Sequence, residues 1–253
     1  DFPKYGNNDD RADSIAKVSD LLAVMAAAQP GHYLAFFPSY SYLQQVWEDF
    51  TARYLDQPTL CQESAMDEGQ RTEFLAQFLA RDGKPLLGFA VLGGVFGEGV
   101  DLAGDRLIGC AIVGVGLPQV NPRQEILRRY YDEAGGTGFD YAYRFPGMNK
   151  VLQAAGRVIR TQEDRGVVLL LDDRFARAEY TRLFPRHWHQ LQYLRSTTEL
   201  EQQLVFQENK VNVLVIEQKE LFRRMIQELD KQISGEEGGF VLSDNNKTMK
   251  IDK

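Results

Sequence analysis

The sequence predicts an α/β fold in which a parallel sheet is covered by helices on both faces. Short apolar runs bounded by Gly, Pro or Asn alternate almost without exception with segments of helical period. The runs are continuous stretches such as Val167-Val168-Leu169-Leu170-Leu171, the pattern of strands buried on both faces. A hydrophobic share of 43% over 253 residues supplies enough apolar surface for the core of such a layered fold.

The elements follow in order. From Asp9 to Ala28, Ile15, Val18, Leu21, Leu22 and Met25 recur at near-helical spacing until Pro30-Gly31 stops the helix. A strand runs from His32 to Phe37, and Ser39 is placed to cap a helix bearing Tyr42, Leu43, Val46, Trp47 and Phe50. Pro58 to Gln62 reads as a short strand and Asp67 to Leu79 as a helix. The strand Pro85 to Leu92 enters a glycine-rich turn, and Leu107 to Val113 is the next strand. Asn121 to Ala134 reads as a helix opening at Pro122, and Asn149 to Arg160 as another that ends ahead of the strand Gly166 to Leu171. Ligands of such sheets sit at the carboxyl ends of strands, where both the glycine-rich turn and residues 153–160 are expected.

Composition excludes several classes. No apolar run approaches the roughly 20 residues of a membrane span, and the stretch DFPKYGNNDD has no basic-then-apolar pattern, so a cytoplasmic setting without a membrane partner is expected. Cys61 and Cys110 sit in apolar contexts without a CxxC partner, and read as buried free thiols. His187-Trp188-His189 has no neighbouring ligand cluster and reads as structural or surface histidines, so no metal ligands are expected. A net charge of −7 has the wrong sign for bulk attraction to nucleic acid, which leaves binding through local arginines and backbone amides.

The far end of the chain has another composition. Residues 1–204 hold 4 lysines and 17 arginines, whereas residues 205–253 hold 6 lysines and 2 arginines. The shift predicts a unit over 1–204 and an extension of uncertain origin over 205–253, either a lysine-rich tail or a fused segment whose removal leaves the rest stable.

Three stretches carry chemistry. GHYLAFFPSY is a buried strand that stops at Pro38 and presents Ser39 and Tyr40 at a helix N-terminus, where free N–H groups meet anions and a ring can stack or pack. Gly94-Val95-Phe96-Gly97-Glu98-Gly99-Val100-Asp101 lets backbone approach a ligand while Glu98 and Asp101 orient water or hydroxyls. It lacks the GxGxxG spacing of a dinucleotide fingerprint, and a plain tight turn is its other reading. In QAAGRVIR, Gln153, Arg157 and Arg160 suit a γ-phosphate: a helix surface brings residues i and i+3 together, so both guanidiniums reach one anion. A surface arginine pair bonded to Glu163, Asp164 or Asp172 is the alternative.

Taken in order, the three resemble the second motor domain of superfamily 2 helicases of the Rad3/XPD and DinG kind. GHYLAFFPSY is similar to that family's motif IV, GVFGEGVDL to motif V, and QAAGRVIRTQEDRGVVLLLDDRF to motif VI with its following strand; the likeness covers about residues 9 to 200. It implies a RecA-like, P-loop NTPase-type sheet. It also implies that Gln153, Arg157 and Arg160 face the γ-phosphate of ATP, that Glu98, Gly99 and Asp101 couple nucleotide to DNA, and that Ser39, Tyr40 and Gly94 lie along the single strand. Gln62 in CQES matches a family glutamine less securely.

The sequence also departs from the family. It contains no GxxxxGK[ST] phosphate loop and no DEAH-like box, and its two cysteines fall short of the four that an iron–sulfur cluster needs. The expectation is the C-terminal half of an ATP-dependent 5′-3′ DNA helicase. ATP and Mg2+ are then held mainly by a first motor domain, any [4Fe-4S] cluster lies in that other half, and single-stranded DNA and the first domain are the partners. The alternative is a nonenzymatic module that binds nucleic acid or protein. The stretch NKVNVLVIEQKELF faintly resembles the start of Csn2-type CRISPR adaptation proteins.

Overall fold

Seven parallel strands form the centre of the computed structural model, which describes residues 8–78, 85–94, 96, 107–159, 166–188, 191–204, 211–216, 243–244 and 247–248. In chain order the main elements are α1 (Asn8–Ala28), β1 (His32–Phe37), α2 (Tyr40–Arg53), β2 (Thr59–Cys61), α3 (Glu68–Gln77), β3 (Leu86–Val91), β4 (Gly109–Val113), α4 (Pro122–Glu133), a π-helix (Asp140–Arg144), α5 (Phe145–Ala155), β5 (Gly166–Leu171), a 3-10 turn (Asp173–Ala176), α6 (Ala178–Thr181), β6 (Leu191–Leu194), α7 (Thr197–Gln203) and β7 (Val211–Ile216). A separate two-residue ladder joins β8 (Ser243–Asp244) to β9 (Lys247–Thr248).

The sheet order is β2-β3-β1-β4-β5-β7-β6 with every pair parallel. Its two faces are built by alternation. Tyr33, Ala35 and Phe37 of β1 face the layer of α1, α2 and α7, while Leu34 and Phe36 face the layer of α3 and α5. β5 divides the same way, Val167, Leu169 and Leu171 against Val168 and Leu170. A strand apolar on both sides is stable only with both sides covered, and the two helical layers supply that cover.

Local signals account for the helix starts. Ser39 accepts a hydrogen bond from the Tyr42 N–H at 3.3 Å and caps α2. Asp67 and Gln70 form a capping box on α3, and Asn121 caps α4 with Pro122 in its first turn. The strand Thr59–Cys61 is shorter than expected, and β6 and α7 were not foreseen, because four- and seven-residue elements carry too little periodicity to stand out.

Two expectations are corrected. The helix expected over 149–160 spans Phe145–Ala155 and continues from the π-helix, whose last N–H donor, Phe145, reaches back five residues to the Asp140 carbonyl. Pro146 has no N–H with which to continue either register, and the wider turn sits where that donor is lost. The boundary expected after residue 204 fails at β7, which lies between β5 and β6 with Val213, Leu214, Val215 and Ile216 buried in both faces. Composition drifted there, but the continuous apolar run Val213-Leu214-Val215-Ile216 meets the needs of a central strand. Apart from β7, β8 and β9, the extension lies outside the described residues. Among the described residues no helix is long and apolar enough to cross a membrane.

Removing residues 205–253 is therefore expected to lower the thermal transition rather than leave it unchanged, because β6 loses its strand partner. The finer test is Leu214→Ala, which should cost about 2–5 kcal/mol in denaturant unfolding as a buried leucine truncation. A loss below about 1 kcal/mol would show that β7 contributes little packing.

Candidate functional site

The chain leaves β1 for one side of the sheet and returns to β4 on the other, so the carboxyl ends of β1 and β4 form the switch point at which α/β sheets open a crevice. Pro38 and Gly114 line it: Gly114 has φ +81, and a Cβ there would lie 3.8 Å from Pro38 Cβ and 4.0 Å from Asp172 Oδ2. Ser39 and Tyr40 follow directly at the head of α2. Ser39 is exposed and accepts through its oxygen, so its hydroxyl proton can still be donated outward. Tyr40 is 38% exposed, with its hydroxyl turned inward.

A buried glutamine organises this edge. The Gln62 backbone N–H donates to the Phe89 carbonyl at 2.9 Å, its side-chain oxygen accepts from the Val91 N–H at 2.8 Å, and its Nε2 donates to the Tyr40 hydroxyl at 2.9 Å. It thus ties β2 to the end of β3 and to the first residue of α2. A Cβ on Gly94 would lie 3.8 Å from Gln62 Nε2. Ser39, Tyr40 and Gly94 accordingly share one surface, with the buried Gln62 beneath it. The sequence marked Gln62 only through its likeness to a family glutamine, since an isolated glutamine carries no periodic signal.

The turn beyond β3 needs its first glycine. Gly93 has φ +74, a conformation other residues rarely adopt, and a Cβ there would come within 2.6 Å of Lys150 Cδ on α5. Phe96 anchors the same turn from below, packing on Phe74 with ring centroids 4.4 Å apart. Glu98, Gly99 and Asp101 lie outside the described residues.

Residues of the third stretch fall elsewhere than expected. α5 ends at Ala155 and Gly156 caps it, so Arg157 stands in a non-helical turn and the i, i+3 face predicted for Arg157 and Arg160 does not exist at Arg157. The turn lies by the amino edge of the sheet, not the carboxyl edge: Val158 Cγ1 would sit 2.3 Å from a Cβ on Gly166, the first residue of β5. Gln153 is exposed on the last turn of α5 and Arg157 is half-buried. Arg160 lies outside the described residues. α5 therefore separates the two groups, with Lys150 over the Gly93 turn and Arg157 just past its far end.

A second buried polar pair closes the carboxyl end of β5. Arg174 donates to Asp172 through Nε at 3.0 Å and Nη2 at 2.8 Å, and the Arg174 backbone N–H donates to Oδ1 at 2.9 Å. Both side chains are almost wholly buried. Burial and then the neighbouring Asp172 carboxylate raise the Asp173 carboxyl above its ordinary range. Arg144 bridges to Asp140, and its guanidinium lies over the Phe139 and Tyr180 rings at 5.1 and 5.2 Å. Asp140 also receives Arg182 at 3.0 Å, which fastens the π-helix to the segment after β5.

Both cysteines are free; burial pushes the Cys61 thiol up to about 11 and raises Cys110 further. Burial thus disfavours the thiolate form of both. No three His, Cys, Asp or Glu side chains among the described residues converge as metal ligands.

The chain is similar to proteins already known. The family described as Helicase C-terminal domain matches residues 22–191. A regulator of telomere elongation helicase 1 homolog from Culex quinquefasciatus is 30% identical over 185 residues, which cover 68% of this chain and 19% of that protein. The regulator of telomere elongation helicase 1 of Bos taurus is 32% identical over 184 residues, or 65% of this chain and 15% of that one. The chain thus spans less than a fifth of the length of these relatives. A solved structure titled XPD helicase shares the fold with a TM-score of 0.54 at 20% identity, over 71% of this chain and 31% of that one. An XPD structure in the apo state gives 0.52 at 21% identity, over 66% and 33%.

Two substitutions test the polar framework. Gln62→Ala leaves the half-buried Val91 N–H without its partner and should cost about 1–3 kcal/mol. Asp172→Ala strands a buried guanidinium and should cost about 3–5 kcal/mol, measured by denaturant unfolding. A loss below about 1 kcal/mol in either would show that water reaches the site and replaces the lost bond.

Proposed function

Because this chain belongs to the helicase C-terminal domain family, we propose that it is the second motor domain of an ATP-dependent 5′-3′ DNA helicase. The observation that carries this reading is α5: its Lys150 packs on the turn beside Gly94, and the turn past its far end holds Arg157. One rigid helix thereby links a carboxyl-edge surface suited to a nucleic-acid backbone with an amino-edge turn suited to a phosphate.

In this reading Gln153, Arg157 and Arg160 meet the γ-phosphate of ATP, and their guanidiniums stabilise the charge that develops as the phosphoryl group transfers. The parts that hold ATP and Mg2+ belong mainly to the first motor domain. Closure of the two domains on ATP brings the arginines in, and hydrolysis lets the domains part. Glu98, Gly99 and Asp101 pass that change to the strand. Ser39 donates its hydroxyl proton to a phosphate, Gly94 allows close backbone approach, and Tyr40 supports a base. This chain's two cysteines do not fit a [4Fe-4S] cluster, which takes four thiolates, so any such cluster belongs to the other half of the protein.

A second reading is a binding module that never turns over ATP, favoured by the exposed Ser39 and Tyr40 beside Gly94, which can meet a strand without any nucleotide. ATPase assays with single-stranded DNA separate the two. The motor reading expects activity when this chain is mixed with a separately expressed first motor domain and almost none from either alone; an inactive mixture favours the module. In the full-length enzyme, Arg160→Ala should lower DNA-stimulated ATPase by about a thousandfold while DNA affinity stays within about twofold. Equal losses in both would make Arg160 a DNA or structural residue.

A further inference from the structure

Helix α4 is fastened through polar side chains and leaves large apolar ones exposed. None of its side chains is fully buried. Toward the π-helix, Glu125 accepts from the Tyr143 hydroxyl at 2.6 Å and from Arg128 Nε at 3.0 Å, and Asp132 accepts from the Gly138 N–H at 2.7 Å. Outward, Ile126 is 70% exposed and Tyr130 64% exposed, and Tyr141 of the π-helix joins them at 44%. The rings form a ladder. Tyr130 meets the edge of Tyr131 at 5.3 Å, Tyr131 stacks on Tyr141 at 4.0 Å and 11°, and Tyr141 meets Phe145 of α5 at 5.2 Å and 83°.

The surrounding charge names the ligand class. The ion pairs of α4 run from Arg128 to Glu125 and Asp132, and among the described residues none reaches the exposed Arg123 and Arg129. On a chain of net charge −7, two unneutralised arginines flank an exposed aromatic ladder, with Glu133 the one remaining carboxylate of the helix. Rings that already stack on one another lose little freedom when a base is added. α4 also follows the carboxyl end of β4, so it leaves the sheet at the edge that holds Tyr40 and Gly94.

We propose that α4 and the π-helix form a base-stacking platform for single-stranded nucleic acid, with bases on Tyr130 and Tyr141 and phosphates on Arg123 and Arg129. The platform rests on the motor-domain reading and extends its nucleic-acid surface beyond Ser39, Tyr40 and Gly94. The π-turn is part of the device, since it faces Tyr141 outward while Ala142 and Tyr143 stay buried.

The test combines fluorescence anisotropy of a labelled oligothymidine at low salt with photo-cross-linking to an oligonucleotide carrying 5-iodouracil. Tyr130→Ala with Tyr141→Ala should weaken binding about tenfold or more, as expected for the loss of base–aromatic stacking. Tyr130→Phe with Tyr141→Phe keeps the ring faces and should bind like the parent, which separates stacking from a loss of fold. Cross-links should map to Tyr130 or Tyr141. Unchanged affinity in the alanine pair, or cross-links confined to Tyr40, overturns the platform and leaves the Tyr40 track standing. A concentration-dependent dimer that the alanine pair abolishes without change in affinity would make the patch a protein contact and also overturn it. Absence of any binding by the parent chain overturns the platform, whereas the motor reading falls separately, on an inactive ATPase mixture.

Discussion

Parallel pairing obliges every connection in this sheet to leave at the carboxyl edge and return at the amino edge. The rest of the molecule depends on that constraint. It demands helical cover on both faces, places Ser39, Tyr40 and the Gly93–Gly94 turn together at one edge, and makes each crossover helix a strut between the two edges. α5 is the crossover in which this matters most, because it touches the glycine turn at Lys150 and hands the chain to Arg157 beyond its C-terminus.

Two buried polar side chains organise this framework. Gln62 joins three chain segments with one amide side chain and its own backbone N–H, and Asp172 holds Arg174 in a two-point pair that also caps the turn after β5. Burial makes each costly to break, because the partner left behind cannot turn to water. They specify the placing of loops more than they add stability: an apolar residue could fill the same volume, but it would not set the Tyr40 ring against the end of β3.

α4 obeys the opposite rule. A helix on a globular surface ordinarily buries its apolar stripe, yet this one is fastened through Glu125, Arg128 and Asp132 and leaves Ile126 and Tyr130 to solvent. The aromatic ladder and the π-turn that presents Tyr141 make sense together as a surface kept ready for a ligand.

Much of the architecture was legible in the sequence, and the reason is periodicity. Continuous apolar runs identified β1, β3, β4 and β5, and Ser39, Asn121 and Pro122 marked helix starts, because those signals act over a few neighbouring residues. The order of the three motif stretches was enough to identify the family. Tertiary structure alone decided the rest. A strand in a region of changed composition found its place between β5 and β6, since burial on both faces depends on a continuous apolar run and not on the ratio of lysine to arginine. The helix before Arg157 stopped at Ala155 and brought that arginine to the amino edge, which no local spacing could show. Gln62 became the centre of the carboxyl edge because it meets Tyr40, 22 residues before it, and Val91, 29 residues after it. Contacts at such separations depend on how strands are ordered in space, and strand order is what a one-dimensional pattern does not encode.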